Sequence, residues 1–248
     1  MVFVVGLSNM DARSAPVMFQ SSETQTSLLE LYTSEGCSSC PPAEAWLSRL
    51  KASPGLWKDF VPIAFHVDYW DYLGWRDPWA SKEFSDRQRA YAEFWRSDSV
   101  YTPGLVLNGK EWRTWATYKN GPASTSDRPG VITVKSSDAI HWDVSFSPTK
   151  LFNQGYALHA ALMASGLRSD VKAGENRGRR LEHDFIVLTL ASVTLTNHNG
   201  SFGGQFEIAA KDSANAHLAL AAWVTQTGRR DPLQATGGWI ESHNSVSR

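Results

Sequence analysis

Cysteine is scarce in this sequence, with only two in 248 residues. That excludes a multi-disulfide framework, and it excludes a closed four-cysteine zinc site because no second cysteine pair exists to complete one. A run of roughly 20 apolar residues, the length needed to cross a bilayer as a helix, is also missing, so no transmembrane segment is expected. Neither sign of charge is in excess: 24 basic residues stand against 25 acidic ones, for a formal net charge of -1. This removes any global electrostatic reason to bind nucleic acid or an anionic membrane. Internal repeats and long low-complexity tracts are lacking as well. What remains is a mixture of 42% hydrophobic, 12% aromatic and 20% charged residues, as expected of a folded globular protein that can bury a sizeable core without metal or disulfide staples.

The chain opens with a short apolar stretch, residues 1–7, followed by Ala12-Arg13-Ser14-Ala15. Small residues after an apolar segment have the make-up of the end of a secretory signal. Export to the periplasm or beyond is therefore expected, with an unstructured tail on a cytoplasmic protein as the alternative. Residues 1–26 are assigned to this tail or signal remnant.

Residues 27–32 (SLLELY) read as a short apolar strand running into Thr33-Ser34-Glu35-Gly36, the composition of a strand-to-helix turn. Cys37 and Cys40 follow at once. Pro41 and Pro42 then open a helix over residues 41–50, in the first turn where a missing amide donor costs little. Residues 61–67 read as a second strand, and residues 68–75 as an irregular aromatic loop. Asp77 and Pro78 provide the N-cap and first position of an amphipathic helix over 78–96. Residues 100–109 form a proline-led strand that ends in the hairpin dipeptide Asn108-Gly109. Eight of the 11 tryptophans lie between Trp46 and Trp115, so most aromatic packing belongs to this region. After a Gly/Pro/Ser/Thr-rich linker over 120–130 the sequence turns into short strands separated by turn residues, as in a β-sandwich. The domain reading is thus 27–122 for the first unit and 130–248 for a β-rich second.

Two cysteines three positions apart on a first helical turn can close a small disulfide, and the amides and dipole of that helix end favour thiolate over thiol. Cys37, nearer the helix end, is the expected nucleophile, and Cys40, one turn inward, the resolving thiol. A disulfide closing so small a loop gives only about 2 kcal/mol of stabilisation, little for a core of this size. An inert disulfide is the plain alternative, and copper(I) binding by two thiolates is the third. Glu30, seven residues before Cys37 on the expected central strand, is a candidate proton relay to Cys40 if buried beneath the pair. The alternative is a strand-edge glutamate facing water. Asp68, Tyr69, Trp70 and Trp75 are candidates for a substrate-binding wall beside the cysteines, although tryptophans in such a loop also pack cores. Residues 174–183 (GENRGRRLEH) gather acids and arginines able to hydrogen-bond back onto the first unit. His66 and His183 lack metal-ligand spacing and read as packing or hydrogen-bonding residues.

A CxxC pair that follows a strand and opens a helix is the context of a thioredoxin-like redox motif. By resemblance to that fold, Thr102-Pro103 is the cis proline that sits against the disulfide and aligns an incoming peptide. The strings LLELYTSEGCSSCPPAEAWL, AFHVDYWDYLGWRDPWA, VYTPGLVLNG and GENRGRRLEH together resemble the family known as domain of unknown function 1223, largely uncharacterised and often exported bacterial proteins. The resemblance implies an α/β class, a thioredoxin-like N-terminal domain followed by a mainly β, sandwich-like C-terminal domain. The expected function is that of a thiol–disulfide oxidoreductase of the bacterial envelope acting on protein or small-molecule thiols and disulfides. Beyond the Cys37–Cys40 pair no cofactor or metal is expected. The alternatives are a non-catalytic binding module of the envelope with a structural disulfide, and a copper(I) chaperone.

Overall fold

A computed structural model describes residues 16–209 and 216–240; the candidate signal residues 1–7 and 12–15 lie outside them. In chain order the first half contains β1 (Val17–Gln20), β2 (Ser27–Thr33), α1 (Pro41–Arg49), β3 (Phe60–His66), α2 (Lys82–Trp95), β4 (Gly104–Leu107) and β5 (Lys110–Glu111). The second half contains β6 (Gly130–Ser136), β7 (His141–Pro148), β8 (Tyr156–Ser165), β9 (Leu167–Asp170), β10 (Arg180–His183), β11 (Ile186–Thr194), β12 (Thr196–His198), β13 (Ser201–Glu207), β14 (His217–Gln226) and β15 (Pro232–Trp239). No helix among the described residues is long and apolar enough to cross a membrane.

The expected α/β class, a thioredoxin-like domain ahead of a separate β unit, is corrected by this architecture. The described chain is mainly β, with two α-helices, and its largest sheet has eight strands in the order β15-β14-β8-β11-β3-β2-β4-β5. Strands from both sides of the 120–130 linker thus share one sheet. The join is made where β11 pairs in parallel with β3 at Ile186 and Ala64, and the Ala64 amide donates to the Phe185 carbonyl at 2.8 Å. β3 is buried at all seven of its positions. A strand so apolar requires cover on both faces and neighbours at both edges, and the second half of the chain supplies one of those neighbours.

The two-residue period of β8 and β14 then divides the interior. Ala161, Met163, Ala219, Ala221 and Trp223 point into the core shared with β2, β3 and the helices. Leu158, Ala160, Leu162, Leu220, Ala222 and Val224 point into a second core, closed by Ile132, Trp142, Phe146 and Phe206 of the five-stranded sheet β1-β6-β7-β13-β12. Helix α2 begins at Ser81, whose hydroxyl accepts from the Glu83 amide, and not at Asp77, which is used elsewhere. The Asn108-Gly109 hairpin forms as read, with both residues at positive φ between β4 and β5.

His159 on β8 makes this architecture sensitive to acid. Its ring stacks 5.5 Å from that of Trp223, with Nδ1 2.8 Å from Ser192 Oγ and Nε2 3.1 Å from Thr225 Oγ1. Burial, with the charges of Arg87 and Arg230, lowers its pKa to about 4. The unfolded chain takes up this proton below about pH 6.5 while the folded chain does not, so stability falls as pH drops from about 6.5 to 4, by on the order of 3 kcal/mol from this residue. Urea denaturation at both ends of that range should show the loss, and His159→Gln should flatten that part of the slope.

Candidate functional site

Strand β2 delivers the chain to a loop, residues 34–39, that ends at Cys40, the N-cap of α1, with Pro41 and Pro42 in the first turn. Cys37 and Cys40 are joined by a disulfide with their Cα atoms 5.5 Å apart. Both are fully buried, whereas Ser38 and Ser39 between them are exposed. Cys37 Sγ lies 3.3 Å from Ser39 Oγ and 3.7 Å from the Thr102 carbonyl oxygen. The Thr102–Pro103 peptide is cis. Trp70 Nε1 donates to Thr102 Oγ1 at 2.8 Å, and the same tryptophan packs so closely on Gly36 that a Cβ there would lie 2.8 Å from Trp70 Cβ. Only glycine leaves that space.

Side chains from distant parts of the sequence hold the loop from its other side. Asn176, fully buried, donates from Nδ2 to the carbonyls of Glu35 (2.8 Å) and Cys37 (2.9 Å). Glu175 Oε2 accepts from the Ser38 amide at 2.9 Å, and the Ser38 hydroxyl together with this amide lowers the Glu175 pKa. Asp77 Oδ2 accepts from the Glu35 amide at 2.9 Å and pairs with His66 Nδ1 at 2.7 Å. The Glu35 side chain is taken up by Trp75 Nε1 (2.6 Å), by Ser169 Oγ and by His183 Nε2 (3.0 Å). His183 Nδ1 meets Glu44 Oε2 at 2.5 Å, and Glu44 Oε1 accepts from Thr33 Oγ1 at 2.5 Å. Burial works against charge on His183, but hydrogen bonds to Glu35 and Glu44 outweigh it and push the pKa up to about 10. Burial likewise opposes ionisation of Glu44, and the His183 bond and charge outweigh it, so that its pKa is lowered.

The residues singled out from the sequence separate into two groups. Cys37, Cys40, Thr102, Pro103, Trp70 and Trp75 come together at the loop. Asp68 turns toward α2, where its Oδ1 accepts from Ser85 Oγ (2.5 Å), and the Tyr69 hydroxyl donates to Gln88 Oε1 of the same helix (3.1 Å) while also meeting the Thr102 side chain at the edge of the first group. Glu30 is fully buried, and its carboxylate is taken by Arg87 Nε (2.8 Å), the Tyr32 hydroxyl (2.9 Å) and the Tyr91 hydroxyl (2.6 Å). Burial and the Glu30 charge raise both tyrosine pKa values, and Arg87, despite its own burial, is held charged by the same carboxylate.

The sequence left Glu35, Glu44 and the buried role of Asp77 unseen and gave His66 and His183 only a generic role, whereas residues 174–183 do hydrogen-bond back onto the first unit as expected, through Glu175, Asn176 and His183. One signal was available: His66 closes a strand that is otherwise wholly apolar, and a polar side chain so placed must find a buried partner. Replacing Asn176 by alanine removes both of its donors from buried carbonyls. Denaturant titration should then show a loss of about 2 kcal/mol, and limited proteolysis should show faster cleavage in the 34–39 loop.

A family model described as "Protein of unknown function (DUF1223)" matches residues 28–225. None of the curated proteins matches the chain. Among solved structures, a crystal structure of a protein from Agrobacterium tumefaciens is similar, with a TM-score of 0.62 at 22% identity over 92% of this chain and 100% of that one. HBP35 of Porphyromonas gingivalis is similar with a TM-score of 0.59 at 12% identity, covering 92% of this chain and 79% of that one. At these identities the likeness is one of fold.

Proposed function

Because the chain belongs to the DUF1223 family, a family of proteins of unknown function, we propose from its own site that it is a thiol–disulfide oxidoreductase working through Cys37 and Cys40. The observation that carries the proposal is the disulfide itself, closed at the N-terminal end of α1 and facing the Thr102 carbonyl. A cross-link over so short a loop contributes about 2 kcal/mol, yet the buried side chains of Asp77 and Asn176 and the exposed carboxylate of Glu175 fix the backbone that carries it. Such an investment suits a bond that must be remade in one geometry after being broken. Envelope or extracellular surroundings, where disulfides persist, suit it too.

In the reduced protein the Cys37 thiolate attacks a sulfur of a protein or small-molecule disulfide. The first substrate thiolate leaves, and a mixed disulfide forms on Cys37. Cys40, as thiolate, then attacks Cys37 Sγ, which closes the internal disulfide and releases the second substrate thiolate. Two electrons pass to the substrate, and an external dithiol returns the protein to its reduced form. Ser39, exposed and 3.3 Å from Cys37 Sγ, must swing aside for attack.

The surroundings favour the reducing direction. Pro41 and Pro42 remove two amide donors from the helix end, and Glu175 takes the Ser38 amide. Fewer donors therefore remain for a Cys37 thiolate, and a reduced form that is weakly stabilised gives up its electrons readily. The test is turnover of a small disulfide reporter by the protein in the presence of a dithiol. Turnover above the dithiol alone supports the proposal, and none refutes it. The burial of both cysteines favours a second reading, a binding module with a structural disulfide; in that case the bond resists dithiols unless the protein is unfolded.

A further inference from the structure

His66 and His183, 117 positions apart in the sequence, meet with ring centroids 5.1 Å apart at an interplanar angle of 78°. One nitrogen from each ring and one oxygen of Glu44 lie within 4.8 Å of one another, and all three residues are buried. His66 Nδ1 is engaged by Asp77, which leaves Nε2 without a hydrogen-bond partner among the described residues. An unsatisfied buried polar atom is destabilising, and nothing in the thiol–disulfide chemistry uses it. We propose that Glu44, His66 and His183 bind a divalent first-row transition ion, zinc foremost.

The donor set is two imidazoles and one carboxylate, which suits such ions and which zinc binds with an open fourth position. The surrounding contacts argue in the same direction. A metal-bound imidazole is held in place when its other nitrogen donates to a carboxylate. His66 has that partner in Asp77 at 2.7 Å, and His183 has it in Glu35 at 3.0 Å from Nε2. The remaining nitrogens, His66 Nε2 and His183 Nδ1, are then the two ligands. The ion enters between His183 Nδ1 and Glu44 Oε2, now 2.5 Å apart. It replaces the proton shared there, which passes to solvent, and no electrons move. Glu44 Oε1 keeps its bond from Thr33. Ligands about 2.0 Å from a tetrahedral zinc stand about 3.3 Å from one another, so His183 Nδ1 and Glu44 Oε2 open from 2.5 Å by about 0.8 Å, and the widest pair, now within 4.8 Å, closes by at most about 1.5 Å.

The test uses the full chain, stripped of metal and fully oxidised, titrated with Zn²⁺ and in parallel with Co²⁺. One equivalent of each should bind, with cobalt showing visible d–d absorption and no thiolate charge-transfer band. X-ray absorption on the zinc form should give a nitrogen and oxygen shell at about 2.0–2.1 Å and no sulfur shell near 2.3 Å. His66→Gln should abolish uptake, Asp77→Asn should weaken it roughly 10–100-fold, and the Cys37→Ser, Cys40→Ser double variant should retain it. Failure of the oxidised wild-type chain to take up one equivalent overturns the proposal, as does a sulfur shell, or uptake undiminished in a folded His66→Gln protein. The spectroscopic arm needs no variant, so it decides the matter even if His66→Gln does not fold.

Discussion

Cys37→Ser should lower reporter turnover to the rate of the dithiol alone, whereas Cys40→Ser should still attack and then stall as a mixed disulfide. The asymmetry follows from position. Cys37 Sγ lies beside the exposed Ser39 and the Thr102 carbonyl, and Cys40 is the N-cap of α1, with its carbonyl accepting from the amides of Ala43 and Glu44. A thiol locked into the helix start can reach its partner three residues away but not a substrate. Mass spectrometry of the Cys40→Ser protein after one cycle should show one reporter thiol bound at Cys37. Equal trapping by Cys37→Ser would reverse the assignment of nucleophile and resolver.

Arg87→Met should cost about 3–5 kcal/mol, because removing one partner of a buried ion pair leaves the other uncompensated. Glu30 is fully buried on β2, and Arg87 Nε at 2.8 Å is its only cationic partner among the described residues. The guanidinium also stands over the rings of Phe65, Tyr91 and Trp223 at 5.3, 5.5 and 5.1 Å. Since Trp223 belongs to β14, the pair binds α2 to both halves of the chain. Denaturant titration should show the loss as a lower midpoint with an unchanged slope. The Glu30→Gln, Arg87→Met double variant should recover a large part of it, because both charges then leave together. If the single and double variants prove equally unstable, Arg87 acts through its ring contacts alone.

The local elements were legible in the sequence wherever a short-range signal existed. Prolines at 41 and 42 marked the start of α1, Asn108-Gly109 marked the β4–β5 hairpin, and turn residues between short runs marked strands such as β7 and β8. The joining of β11 to β3 was not legible, because a run such as FVPIAFH declares that it is buried without declaring what covers its edge. The error in fold class came from that edge. The same limit applied at the site. Cys37 and Cys40 were picked out from spacing and Thr102 and Pro103 by resemblance, but Asn176 and His183 reach the loop across about 140 residues, and the polar composition of residues 174–183 says only that the segment bonds to the first unit, not which carbonyls and carboxylates it meets. Asp77 was misread as a helix cap because its composition fits one; the buried His66 and the Glu35 amide hold it instead.

The proposed function stands or falls on the reduction potential of the Cys37–Cys40 pair, measured by equilibration of the full chain against thiol–disulfide buffers. It predicts a potential nearer about -270 mV than -120 mV, in the range of pairs that exchange rapidly and donate electrons. A potential below about -300 mV, with a bond that no dithiol opens in the folded protein, would mark the disulfide as structural and contradict the proposed function.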